Sequence, residues 1–179
     1  MTCIVGLVEG NTVFIGGDTA GSSGCFISER ADGKVFRLGE FLIGFSGSYR
    51  IGQLLRYKFQ PPTLEVGVEL HRYMVLQFVD ALRECLKEGG AALKVNDVET
   101  GGHFLVGIRG RLFGIETDYQ VADYADNFAA CGCGRDFAMG SLFSTSIKNS
   151  KARVRLALES AERFDACVRG PFTIENTES

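Results

Sequence analysis

Thr2, Asp18, Lys34 and Gly44 are the residue types that amide hydrolysis by an activated hydroxyl requires. A threonine hydroxyl is a weak nucleophile until a base removes its proton, and that base can be the residue's own α-amine when threonine stands first in the chain. Removal of Met1 would free that amine, and the small threonine side chain suits methionine removal without a longer leader being cut away. With a reference pKa of about 7.7 to 8.0, the amine is partly neutral near pH 7. A lysine ammonium nearby favours the neutral amine, and an aspartate keeps that lysine charged and oriented. The amide of Gly44, unobstructed by a side chain, could donate to the oxyanion of a tetrahedral intermediate.

Two hairpins are expected to bring these residues together. In CIVGLVEGNTVFIGGD, apolar runs flank Glu9-Gly10-Asn11, a turn signal. A turn centred on Gly10 pairs residues whose numbers sum to 20, placing Thr2 opposite Asp18. In KVFRLGEFLIGFSG, closure around Gly39-Glu40 sets Lys34 across from Phe45 and beside Gly44. Side by side, the hairpins would collect all four residues at one end of one sheet. Ile4 and Val8 alternate with Cys3, Val5 and Leu7, so both faces of the first strand are apolar and the sheet must be covered on both sides.

A third hairpin is expected near Gly110. Before it, Val66, Leu70, Met74, Phe78, Leu82 and Leu86 recur every four residues, predicting a long helix with Thr63 as N-cap and Gly89-Gly90 as its stop. Two more helices are expected, from about Arg135 to Phe143 and from about Lys151 to Phe164. Strands and helices delivered in two batches imply an α+β, four-layer αββα sandwich: two stacked antiparallel sheets between helical layers. With 179 residues and no linker, one domain over 1–179 is expected, with a loose tail from Asn176 to Ser179.

A net charge of −3 offers no field for a nucleic-acid backbone. No apolar run reaches the roughly 20 residues of a membrane span, nor is there a secretory signal, so a cytoplasmic protein is expected. Six cysteines then read as reduced thiols, mostly small core residues. Cys131 and Cys133 are one residue short of the CxxC spacing and no second pair completes a metal site, so neither a metal nor a cofactor is expected. His71 and His103 stand in no catalytic motif and read as structural.

The segments MTCIVG, GGDTAGSSG, KVFRL and LIGFSGS resemble, in order and spacing, the front half of proteasome β-subunits and HslV-like peptidases, which are N-terminal-nucleophile hydrolases. AACGCGRDFAMGSL resembles that family's glycine-serine-glycine segment opening a helix, and ALESAERFDACVRGPFTIE its terminal helix and last strand. The resemblance implies Thr2 as nucleophile, Asp18 and Lys34 as the polar pair beside it and Gly44 as oxyanion donor. It places Gly21, Ser22 and Ser46 along the path of a substrate strand, and a pocket lined by Leu42, Ser46 and Arg50 beside Thr2. Asp165 matches a carboxylate near the family's active site. Two departures stand out: Cys133 replaces the serine of the glycine-serine-glycine segment, and Val168 replaces a serine following the carboxylate.

By the same resemblance the chain is expected to be a threonine peptidase acting on unfolded polypeptide inside a homo-oligomeric ring. A separate ATP-dependent unfoldase is a further expected partner by analogy, since no GxxxxGK[ST] loop occurs here. The alternatives are a catalytically silent scaffold subunit and a small-molecule amidase with the same nucleophile.

Overall fold

The computed structural model describes residues 2–23, 26–95, 98–146 and 149–178. In chain order the strands are β1 (Cys3–Glu9), β2 (Thr12–Asp18), β3 (Ala20–Ser23), β4 (Phe26–Glu29), β5 (Val35–Leu38) and β6 (Phe41–Ser46). After helix α1 (Tyr49–Tyr57) comes one continuous helix: α2 (Leu70–Tyr73), a π-helical turn (Met74–Phe78) and α3 (Val79–Glu88). Then follow β7 (Leu93–Val95), β8 (Val98–Thr100), β9 (His103–Ile108), β10 (Arg111–Ile115), β11 (Val121–Asp123), β12 (Phe128–Gly132), α4 (Arg135–Ser144), α5 (Ser150–Phe164) and β13 (Phe172–Asn176).

Strand β1 shows why the sheets stack. Cys3, Val5 and Leu7 project into an apolar cluster with Ala138, Leu142, Val154 and Leu158 of α4 and α5. Ile4, on the other face, joins Val13, Ile15, Val35, Leu42 and Leu105 between the sheets. One sheet runs in the order β12-β1-β2-β13 and the other β11-β10-β9-β6-β5. The outer face of the second sheet, with Ile43, Phe45 and Phe113, packs on Leu54, Met74, Phe78 and Leu82 of the remaining helices. Three apolar layers thus bind four structural layers, the expected αββα sandwich. The two hairpins therefore do not lie side by side in one sheet. They face each other across the sandwich interior.

That stacking depends on Gly44. A Cβ there would stand 2.5 Å from Ile4 Cγ2 and 2.9 Å from Ile15 Cγ2. Gly44→Ala is expected to lower stability by about 1–3 kcal/mol through overpacking, read as a reduced urea midpoint.

Several local expectations are corrected. The long helix starts at Leu70, capped by the Glu69 carboxylate, which accepts from the His71 and Arg72 amides at 2.9 and 2.7 Å. Thr63 is no cap, and Val66 lies fully exposed in the preceding loop. The π turn was not foreseen, nor were α1 and the hairpins β3–β4 and β7–β8. The C-terminal residues are anchored, not loose: Val13 N donates to Thr177 Oγ1 and Thr177 N to Val13 O, both at 3.0 Å. Ser179 lies outside the described residues. Of the cysteines, Cys3, Cys85, Cys131, Cys133 and Cys167 are free thiols, and Cys25 lies outside the description. Cys131 faces the interior between the sheets. His71 stacks on Phe113 and His103 Nε2 lies 3.1 Å from Glu116 Oε2. Among the described residues, no helix is long and apolar enough to cross a membrane.

Candidate active site

The register of the first hairpin is one residue from the sequence expectation. Ile4 pairs with Gly17 and Glu9 with Thr12, so Gly10 and Asn11 form the turn and the register sums to 21. Cys3, not Thr2, stands across from Asp18, and the Cys3 amide donates to Asp18 Oδ1 at 3.0 Å. Thr2 lies one step further, at the mouth of the sheet. In the second hairpin Val35 pairs with Gly44 and the Phe45 amide donates to Lys34 O at 3.1 Å, as expected. Because β5 and β2 lie in facing sheets, Lys34 reaches Asp18 across the sandwich.

Lys34 Nζ lies 2.8 Å from Asp18 Oδ2, with side-chain exposures of 2% and 0%. The Ala20 amide also donates to Oδ2, at 3.2 Å. Burial pushes the Asp18 pKa up and the Lys34 pKa down, and each partner's charge opposes the shift of the other. Three N–H donors converge on one carboxylate, which favours the ionised pair. The lysine is still pulled below its ordinary value by its surroundings.

Thr2 is buried, one residue before the Cys3 amide that donates to Asp18. Its main-chain nitrogen donates to Cys133 Sγ at 3.2 Å, and the Cys133 thiol donates to Thr2 O at 3.3 Å. The Gly134 amide reaches the same carbonyl at 3.4 Å. This approach needs Gly132, whose φ is +94° and where a Cβ would stand 2.1 Å from Thr2 O. Burial raises the Cys133 thiol pKa. The Thr2 amide opposes that rise and the Asp165 carboxylate adds to it. Asp165 ends α5, with Oδ1 accepting from the Cys167 amide at 2.8 Å. Thr2, Cys133 and Asp165 thus form one cluster, joined to Asp18 and Lys34 through the Cys3 backbone.

The expected oxyanion donor is misplaced. Gly44 is buried between the sheets, in register with Val35 and Leu105. The glycine exposed at the mouth of β6 is Gly47, with φ +120°. Its signal in the sequence was the FSGS turn just after the apolar run. Gly47 lines an open cleft of about 280 Å³ with Ser48 and Tyr49 on one side and Gly21, Ser22 and Arg30 on the other. Gly21 and Ser22 lie on β3. Ser46 ends β6 across from His103, its hydroxyl against Gly132. The expected pocket of Leu42, Ser46 and Arg50 is not formed, because Leu42 is buried between the sheets. Tyr49, unanticipated, stands at the cleft with its ring centroid 5.8 Å from Lys34 Nζ.

No protein-family model and no curated protein matches the chain. Solved structures do. BPH of Thiobacillus denitrificans superposes with a TM-score of 0.80 at 22% identity over 97% of this chain and 96% of that one. HslV of Trypanosoma brucei gives 0.68 at 18% identity, covering 97% and 98%. A Gly-1 mutant of Anbu from Hyphomicrobium sp. strain MC1 gives 0.71 at 19% identity, covering 99% and 83%. Together with its two stacked sheets between helical layers, these likenesses show that the chain shares the fold of BPH, HslV and Anbu.

Proposed function

We propose that the chain is a threonine peptidase whose nucleophile is Thr2, freed by removal of Met1. The observation that carries this reading is the buried Asp18–Lys34 pair, tied through the Cys3 amide to the residue next to Thr2. In structures where fold alone is shared, chemistry must come from such a site.

The Lys34 charge holds the Thr2 amine neutral, and the amine takes the hydroxyl proton as Oγ1 attacks the substrate carbonyl. The Gly47 amide, on the cleft, donates to the developing oxyanion. The amine passes its proton to the leaving nitrogen, the peptide bond breaks and an ester on Thr2 remains. Water, deprotonated by the same amine, then hydrolyses that ester. Gly21, Ser22 and Ser46 flank the path of an extended substrate, which can add as a strand to the exposed edge of β3. The assembly we propose is a homo-oligomeric cytoplasmic ring taking unfolded polypeptide, with any unfoldase a separate chain.

A thiol is a weaker hydrogen-bond partner than a hydroxyl. If Cys133 orients the amine, Cys133→Ser should raise kcat by about two- to tenfold, the range of one modest hydrogen bond, in steady-state assays. The reading as a whole is tested by hydrolysis of a panel of fluorogenic peptides by the processed protein and by Thr2→Ala. Equal rates for the two would leave the scaffold reading standing. Cleavage confined to small non-peptide amides would favour the amidase.

A further inference from the structure

Cys133 is the one exposed cysteine among the described residues, with Cys3, Cys85 and Cys131 buried and Cys167 half-buried. Its sulfur stands against the proposed base. The Thr2 nitrogen donates to Sγ at 3.2 Å, and the thiol donates to Thr2 O at 3.3 Å. Main chain seats both residues: Cys3 pairs with Gly132 at the end of the β1–β12 ladder, and Gly132 turns the strand with φ +94°. The Gly134 amide, from the next residue along, also reaches Thr2 O, at 3.4 Å. Cys133 is thus half of a thiol–nitrogen pair brought together by the fold.

Removal of Met1 turns that contact into a pair of reactive groups. The nitrogen becomes a primary α-amine, partly neutral near pH 7 from its reference pKa of about 7.7 to 8.0, and a neutral amine is a nucleophile toward oxidised sulfur. The thiol is open to small solutes. Desolvation raises its pKa and the Thr2 N–H opposes the rise. An ammonium in the same place opposes it more strongly and favours the thiolate, the form that peroxides oxidise. A hydroxyl has no counterpart to this chemistry, so the exchange of the expected serine for Cys133 adds a reaction to the site.

We propose that Cys133 is a redox modification site that locks the nucleophile's base: a peroxide oxidises its thiol, and the Thr2 α-amine closes onto the sulfur as a reversible sulfur–nitrogen bond. In the first step hydrogen peroxide takes two electrons from the sulfur, giving a sulfenic acid and water. In the second, the amine lone pair attacks that sulfur, the S–O bond breaks, and the hydroxyl leaves as water with a proton from the nitrogen, giving a sulfenamide. A nitrogen bonded to sulfur is a poor base and does not take the Thr2 hydroxyl proton, so cleavage stops. Two thiols reverse the lock. One attacks the sulfur and returns the nitrogen as an amine carrying the thiol's proton, and the other releases Cys133 from the mixed disulfide and is itself oxidised. This rests on the peptidase reading and adds the regulation of its site.

The test treats the full chain beginning at Thr2 with hydrogen peroxide and then with dithiothreitol, following intact mass, fragment mapping and hydrolysis of fluorogenic peptides. Peroxide should yield a chain lighter by two hydrogens in which the N-terminal fragment is joined to the fragment carrying Cys133. Peptide hydrolysis should be lost in proportion to the joined fraction, and dithiothreitol should reverse both changes. Cys133→Ser and Cys133→Ala should form no join, and each should keep after peroxide the rate it had before. Thr2→Ala retains amine and thiol without the nucleophile, so it should form the same join. A wild type that cleaves peptides but gains only oxygen at Cys133, or pairs it with another cysteine, overturns the proposal and leaves the peptidase reading intact. So does a peroxide loss of activity that persists in both Cys133 variants. A join formed in wild type and Thr2→Ala, in a protein that cleaves no peptide before treatment, overturns the peptidase reading and supports the thiol–amine chemistry alone.

Discussion

Thr2→Ala is expected to hydrolyse peptides at least about 10⁴ times more slowly than wild type, because nothing else in the cluster replaces the hydroxyl and members of a catalytic unit fail together. Alanine is as small as the residue it replaces, so Met1 removal proceeds alike in both chains. The amine therefore remains, and only the oxygen is lost. Circular dichroism should show the same fold for both, since Thr2 precedes β1 and takes no part in its ladder. Thr2→Ser, which restores an oxygen beside the amine, should recover measurable kcat. Comparable rates for wild type and alanine variant would place the chemistry elsewhere.

Lys34→Met is expected to remove activity and to destabilise the fold together. Asp18 would keep its two amide donors but lose the Lys34 cation while fully buried. Breaking such a pair costs about 3–5 kcal/mol, because one charge is left uncompensated in the interior. Denaturant titration should show this loss, and the double variant Asp18→Asn with Lys34→Met should recover much of it. Catalysis should fall by about 10²- to 10³-fold or more, the effect of deleting one preorganised electrostatic group, and should not return in the double variant.

The pH profile follows from the same two nitrogens. Activity is expected to rise with pH as the Thr2 amine loses its proton. It is expected to fall again where Lys34 becomes neutral, below the ordinary value of 10.5 because the group is buried. The alkaline limb should vanish in a Lys34→Arg variant that retains any activity, since arginine does not titrate in that range.

The layering was legible in the sequence because it is written in alternation. Cys3, Val5 and Leu7 against Ile4 and Val8 specify a strand apolar on both faces, and that alone demands cover above and below. Turn chemistry specified the register of the second hairpin, since Gly39 takes the positive φ, +60°, that a Gly-X turn needs. The first hairpin slipped by one because Gly10 and Asn11 share the turn. In a strand, one step exchanges the faces, so Cys3 rather than Thr2 came to face Asp18.

The stripe from Leu70 to Leu86 encodes more than a regular α-helix. Four-residue spacing drifts by about 40° per step on an α-helix of 3.6 residues per turn. The wider π turn at Met74–Phe78 takes up part of that drift, so that Met74, Phe78, Leu82 and Leu86 all remain buried. Val66 fits the spacing only numerically, because Pro61 and Pro62 direct the chain before it away from helix. Gly44 and Gly47 illustrate a limit of spacing arguments. Both glycines follow the same apolar run, and only the packing of Ile4 and Ile15 against Gly44 shows which one stays outside. Tyr49 could not be singled out at all, because Arg30, Phe45 and Lys34 come together around its ring only in the folded chain.

Mass spectrometry of the protein from its native host, before and after treatment with a peptide epoxyketone, tests the central claim most directly. That reagent couples to a hydroxyl and an amine carried by one residue. The expected result is a chain beginning at Thr2 that gains a single adduct, located on Thr2 and absent from Thr2→Ala. Retention of Met1 on every molecule, or an adduct on the Cys133 thiol in place of Thr2, would contradict it.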